Sequence, residues 1–441
     1  MATERKTLTQ LAVPICLETL FYMLSGMVDT LMLSSVSDQA VGAVGTANTY
    51  ISVFIIMFGV ISSGMVAVMS QNIGAGRPGI AYQARQLGLA FNAVLGIIMS
   101  LFLSLGAGTI LSGVGVADAL MQPAKTYLQI VGGFCILNAL IPICSSYLRA
   151  FGFSKEPLYA SIIGNVINFC LNAFFLFVLH KGVAGVATAT VISRIINLVI
   201  VVMLGAVLVK AKQHPERESN REVMGQIIRI GLPSACETAI YNVSMTLVIR
   251  FLNQMDAQGL NVTARSYTMQ ITNFSYCVGA ALAQANAIMT GWRIGAKEYD
   301  ACDRGTRKAA IIGVIVAVIL ETMFALCSGW IMQLFSKDPQ MVSLVGKLLA
   351  IDIVLEMGRV TNLVYGQALK TSGDAVFPVV MGACFMILCS VGGTYLFGIR
   401  LGLLAVGAYI GMAGDECVRA VGMYLRWKSG KWKEKGLVKS R

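Results

Sequence analysis

Twelve stretches of this chain are each apolar over about the 20 residues a helix needs to cross a bilayer, and that length constrains the fold more than any other feature. They lie near 11 to 35, 44 to 70, 86 to 113, 124 to 148, 157 to 179, 182 to 209, 228 to 253, 263 to 289, 308 to 334, 344 to 369, 376 to 397 and 402 to 426. Only 13% of the 441 residues are charged and 56% are apolar, whereas soluble domains are about 25% charged. A soluble globular protein is excluded, and the unit of counting is the transmembrane helix. The expected fold is all-α and polytopic: twelve transmembrane helices in two pseudo-symmetric six-helix bundles, residues 1–210 and 228–441, joined by a linker at 211–227 and closed by a short basic tail. The first stretch, Leu11 to Leu33, is too long for the apolar part of a signal peptide and no small-residue cleavage site follows, so it should remain in the mature protein.

The net charge of +12 could indicate nucleic acid or a membrane surface, and position along the chain decides. With both termini on one side, the loops of that side hold Arg5, Lys6, Arg77, Arg85, Arg149, Lys155, Lys210, Lys212, Arg217, Arg221, Arg229, Arg293, Lys297, Arg304, Arg307, Lys308, Lys370 and the tail from Arg426. The other side keeps Lys181, Lys337 and Arg400, with Lys125 and Lys347 near helix ends. The positive-inside rule places both termini in the cytoplasm of a cell-membrane protein. The excess charge is a topology signal, and nucleic-acid binding loses its motivation.

The two halves repeat. Ala12 to Asp29 (AVPICLETLFYMLSGMVD) aligns with Gly231 to Val248 (GLPSACETAIYNVSMTLV), sharing Pro, Glu-Thr, Tyr and Ser at the same offsets. Ile73-Gly74-Ala75 aligns with Ile294-Gly295-Ala296, and Leu148-Arg149-x-x-Gly152-x4-Pro157 with Leu369-Lys370-x-x-Gly373-x4-Pro378. An even number of spans per half makes these parallel repeats, as found in transporters that bind substrate between the halves and alternate access.

Ionisable groups inside spans are costly in lipid and are site hypotheses by default. Glu18, Tyr22, Ser25 and Asp29 follow a spacing that lines one helical face. The duplicate carries Glu237, Tyr241 and Ser244, but Val248 where Asp29 would fall. Asp29 therefore breaks the symmetry. Desolvation favours the neutral form of a carboxyl group, which suits an acid that takes a proton outside and releases it inside. Asn165, Asn168 and Asn172 form a polar stripe that could face the first span or serve interhelical hydrogen bonding. Glu18 and Glu237 follow Pro14 and Pro233 by about one turn, where they could meet cationic substrates or sit hydrated at the inner end. Asp352, Glu356 and Arg359 share a face of the tenth span, with Glu356 near midplane and Arg359 close enough for an ion pair. The equivalent positions of the first half are Val131, Cys135 and Asn138. Asp415, Glu416 and Arg419 read as a paired structural cluster.

Val28-Asp29-Thr30, Gln71-Asn72-Ile73-Gly74-Ala75-Gly76, Leu148-Arg149-Ala150-Phe151-Gly152 before the asparagine stripe, Leu369 to Pro378 with Gly373-Asp374, Asp415-Glu416-x-x-Arg419 and Arg426-Trp427-x-Ser429-Gly430-Lys431-Trp432 occur in an order that resembles the multidrug and toxic compound extrusion (MATE) family over the whole chain. The resemblance implies export of organic cations or amphipathic drugs against inward proton or sodium flow. It implies a coupling role for Asp29, a place in the cation network for Asn168, a ligand role for Thr190 and support for Glu356. In one branch of the family a seventh-span acid joins a second cation site, a role Glu237 could share. Part of the family has an aspartate where this chain has Asn172, and an amide does not titrate, which favours protons over sodium.

The remaining motifs carry no chemistry. Eleven Cys are scattered singly with no CxxC, and read as small buried hydrophobes. Ile73-Gly74-Ala75-Gly76 lacks the Lys-Ser/Thr of a nucleotide loop. His180 and His214 are isolated, and Asn261-Val262-Thr263 is a bare sequon. No nucleophile and base cluster, so the chain reads as a transporter, not an enzyme. The expected function is secondary antiport by alternating access through a V-shaped cavity, with H+ or Na+ as coupling ion and no other cofactor. Small organic cations and the bilayer are its expected partners, and it should act as a monomer. Cation coupling is assigned to Asp29, Asn168, Asn172 and Thr190, and substrate binding to Glu18, Tyr22, Glu237, Tyr241 and Glu356. A lipid-linked precursor flippase of the same superfamily, or a channel or receptor, are the alternatives.

Overall fold

A computed structural model describes residues 6–35, 37–113, 116–210, 216–256, 259–333 and 335–438. Residues 211–215 of the linker, which include Gln213-His214-Pro215, lie outside the described residues. Among those described there is no strand, and twelve long helices follow in order. The first six are α1 (Leu8–Ser34), α2 (Asp38–Gly74), α3 (Pro78–Leu105), α4 (Asp118–Gly132 joined at a 42° bend to Ile136–Ala150), α5 (Lys155–Val178) and α6 (Gly182–Leu208). The second six are α7 (Asn220–Met255), α8 (Leu260–Gly295), α9 (Tyr299–Leu326), α10 (Pro339–Ser372), α11 (Val376–Arg400) and α12 (Leu404–Lys428). The polypeptide divides into two compact units, Met1–Ile73 with Arg77–Gly231, and Gly74–Gly76 with Leu232–Arg441.

The repeated motifs are helix ends. Gly152 and Gly373 both stand in the left-handed region, φ +88° and +99°. At each, the next residue bonds back across the end of the helix: Phe153 N–H to Leu148 C=O at 3.0 Å, and Asp374 N–H to Leu369 C=O at 2.9 Å. Glycine takes this conformation without the Cβ penalty, which is why the motif stops α4 and α10 at the same place. The Ile-Gly-Ala pair behaves alike, with Arg77 N–H to Asn72 C=O and Glu298 N–H to Arg293 C=O both at 2.8 Å. Here the left-handed residue is Gly76 in one copy and Lys297 in the other.

The N-terminal unit packs α1 on α5, α5 on α6 and α3 on α4, around a core that includes Leu33, Ala43, Leu103, Leu128 and Ala187. In the C-terminal unit α10 is central, packed on α8, α9 and α12, with Val248, Leu252, Leu348 and Tyr409 in its core. Large apolar side chains also cover the outside: Leu105 and Leu326 are each 82% exposed. Such surfaces belong in lipid. Helices α1, α3, α5, α6, α9 and α11 are long and apolar enough to cross a membrane, and the bent α2 and α4 extend the set to eight. The other four, α7, α8, α10 and α12, all lie in the second half and carry more polar and charged side chains. All eleven cysteines are free thiols.

Candidate functional site

In the N-terminal unit α5 turns its asparagines to α1. The Asn172 amide, fully buried, donates to Asp29 Oδ1 at 2.7 Å and to Asn168 Oδ1 at 3.2 Å. Asn165 donates to the Phe21 carbonyl at 3.3 Å, so one stripe holds α1 at two heights. Thr190 is buried one helix away, its hydroxyl donating to Val186 C=O of its own turn at 2.9 Å. One turn further along α6 stands Arg194, whose charge acts on Asp29, on the buried Tyr127 of α4 and on Cys135. Arg194 is absent from the sequence-based site, although a guanidinium within an apolar span is as conspicuous as an acid there. Tyr22 is 61% exposed along the same face of α1.

Glu18 and Glu237 are both ion-paired. Arg149 Nη2 meets Glu18 Oε2 at 2.5 Å, and Lys370 Nζ meets Glu237 Oε2 at 2.5 Å. Each base is the last-turn cation of the helix that the repeated glycine ends, and each acid lies on the helix that carries Pro14 or Pro233. The duplication therefore copies a contact between helices, α1 to α4 and α7 to α10. Cations suit helix C-termini, and each pair joins such a cation to an acid three helices earlier in the chain.

The C-terminal unit buries a ladder of charges. Arg359 Nη1 donates to Glu356 Oε2 at 2.8 Å, and its Nε lies 3.5 Å from Glu416 Oε1. Arg419 binds Asp415 at 2.9 and 3.0 Å and Glu416 at 2.9 Å. Ser390 donates to Asp415 Oδ2 and Asn362 to Glu416 Oε2, both at 3.0 Å. The ladder thus joins the two charge clusters of α10 and α12. Tyr276 faces the Arg359 guanidinium at 5.9 Å, and Tyr241 of α7 lies within its electrostatic reach. Asp352 and Glu321 complete the group, 2% and 0% exposed. Glu321 was also missing from the sequence-based site.

This geometry can be set beside known proteins. The family model MatE matches residues 14–174 and 233–396, one copy on each half. The chain belongs to the MATE family. It is 34% identical to an uncharacterized transporter, YisQ of Bacillus subtilis, over 99% of this chain and 97% of that protein. It is 24% identical to a probable multidrug resistance protein, NorM of Thermotoga maritima, covering 98% and 94% of the two chains. A solved MATE structure in the straight conformation superposes with a TM-score of 0.87 at 18% identity, covering 97% and 96%. Members of this multidrug efflux family are transporters, so small molecules are its substrates, and the apolar helices make this MATE protein an integral plasma-membrane protein.

Proposed function

We propose that this MATE protein exports organic cations in exchange for protons, with Asp29 as the coupling acid. The observation that carries the reading is the Asn172 amide on Asp29 with Arg194 electrostatically opposed. Proton binding to Asp29 removes the charge that both partners answer, which gives proton uptake a structural consequence at the α1–α5 contact. Asn168 orients Asn172, and Thr190 keeps its oxygen lone pairs on the adjoining helix. One carboxylate among amides favours a proton over sodium, since hard cations gain from carboxylate charge. Ring faces at Tyr22 and Tyr241 and negative charge at Glu356 suit a bulky cation. Glu18 and Glu237, paired to Arg149 and Lys370, hold helix ends in this reading. Both termini face the cytoplasm, and the protein works as a monomer by alternating access.

A second reading, a lipid-linked flippase, draws on guanidiniums at Arg194, Arg265, Arg359 and Arg419 that could meet a pyrophosphate. Two of these are bonded to carboxylates and a third faces Asp29, which leaves little positive charge for such a ligand.

Ethidium efflux from proteoliposomes under an imposed pH or sodium gradient tests the reading. Efflux should follow the pH gradient and be lost in Asp29→Asn. Undiminished efflux in that variant refutes the assignment of Asp29, and movement driven only by sodium refutes proton coupling.

A further inference from the structure

Glu321 of α9 is fully buried in a helix apolar enough to cross the membrane. Among the described residues neither of its carboxylate oxygens has a hydrogen-bond partner, and the Ser275 hydroxyl beside it makes no bond of normal geometry either. Helix α9 packs on α8, on α10 and on the short helix Ser328–Met332. From α8 the polar neighbour is Ser275, from α10 the charged neighbours are Asp352, Glu356 and Arg359, and Ser328–Met332 carries no charge.

Arg359 is already engaged by Glu356 and Glu416. The buried group holds the carboxyls of Glu321, Asp352, Glu356, Asp415 and Glu416 against the guanidiniums of Arg359 and Arg419. Arg265 of α8 donates to the Met245 sulfur at 3.8 Å, and its charge acts on Tyr409. Fully ionised, five acids and two bases would leave three negative charges without water, at several kcal/mol each. A metal ion would need oxygens converging on one point, and among the described residues no three His, Cys, Asp or Glu side chains do so. A proton needs one oxygen.

Three of the five acids are bonded to a base or a polar side chain. Glu356, Asp415 and Glu416 spend oxygens on arginines, Ser390 and Asn362. Asp352 Oδ2 and Glu356 Oε1 are orphaned singly, whereas Glu321 has both its oxygens orphaned. We propose that Glu321 is a second proton-binding group, carried by the C-terminal unit and loaded and emptied during transport. This deepens the antiport reading and rests on it for the transport step. The first half has Ser100 at the corresponding place, so the acid belongs to one copy only.

The test uses the full-length protein in nanodiscs and proteoliposomes. Infrared difference spectra between acid and alkaline pH report protonated carboxyls by their C=O stretch. Glu321→Gln should remove one such band that Asp29→Asn retains, and should lower the protons moved per ethidium by one. Retention of every carboxyl band in Glu321→Gln overturns the proposal, as does loss of a band with an unchanged proton count. Glu321→Asp, expected to shift the band without removing it, serves if the Gln variant does not fold. Wild-type protein that moves no ethidium on a pH gradient defeats the antiport reading, and the infrared band then decides Glu321 by itself.

Discussion

The two units began as one design and now differ most in what they bury. The N-terminal unit sets Asp29 among amides with Arg194 nearby, while the C-terminal unit interlocks three acids with two arginines between α10 and α12. What they still share lies at the helix ends: the left-handed glycines, the backward hydrogen bonds and the Glu18–Arg149 and Glu237–Lys370 pairs. Contacts that set how helices meet have been kept in both copies. The interior charges are free to diverge because a polar group in lipid is tolerated once its partners change with it.

Beyond the loss of efflux in Asp29→Asn, the largest effect is expected on stability in the C-terminal ladder. Arg419→Met leaves Asp415 and Glu416 without their bonded cation, and breaking a buried pair on one side costs about 3–5 kcal/mol. Arg194→Met should cost clearly less, because Asp29 is only half-buried and keeps Asn172. Melting of detergent-solubilised protein compares the two, and equal losses would break the contrast between the units.

Smaller and equal effects are expected at the shared pairs. Arg149→Met and Lys370→Met should each cost about 1–3 kcal/mol, the range for charged groups that lose a hydrogen bond while partly buried. The exchange Glu237→Lys with Lys370→Glu should recover part of the loss. A cost at one end and none at the other would mean that the pairs serve different purposes.

The smallest effect concerns the tail. Trp432 stacks on Trp427 at 4.1 Å, the Trp427 indole donates to Asp303 at 2.8 Å, and Asp374 accepts from Arg426 and Lys435, each at 2.7 Å. Burial pushes the Asp374 carboxyl up, but the hydrogen bonds and charges of Arg426 and Lys435 outweigh it and hold the group below the ordinary aspartate range. A depressed value means that its stabilisation is present above that range and is lost as pH falls through it. Wild type should therefore melt above Asp374→Asn at neutral pH, with the gap closing under acid conditions. A gap that persists in acid would show that the tail is held by the tryptophans alone.

Much of this was legible in the chain. Span length and the Lys and Arg asymmetry follow from the bilayer's thickness and field, which act on every residue alike. The repeats stood out because left-handed ends need glycine at Gly152 and Gly373. The α1 face with Asp29 and the α5 stripe with Asn172 were visible from helical spacing. That spacing could not show which atoms meet. Glu18 and Glu237, read as substrate contacts, stand bonded to bases more than 100 residues away in sequence. The Glu356–Arg359 and Asp415–Arg419 pairs were visible as neighbours on single helices, but their union through Glu416 joins helices that sequence spacing cannot relate. Glu321 and Arg194 each stand alone in an apolar run, with no charge nearby on the same helix to show what they meet.

By itself the sequence determined the membrane, the helix count, the duplication and the family, since these depend on composition and periodicity along one chain. Only the tertiary structure decided which buried charges are satisfied. In a medium without water a charge depends on partners within a few ångströms, and for Asp29, Glu237 and Glu416 those partners come from other helices, whereas neither oxygen of Glu321 is hydrogen-bonded.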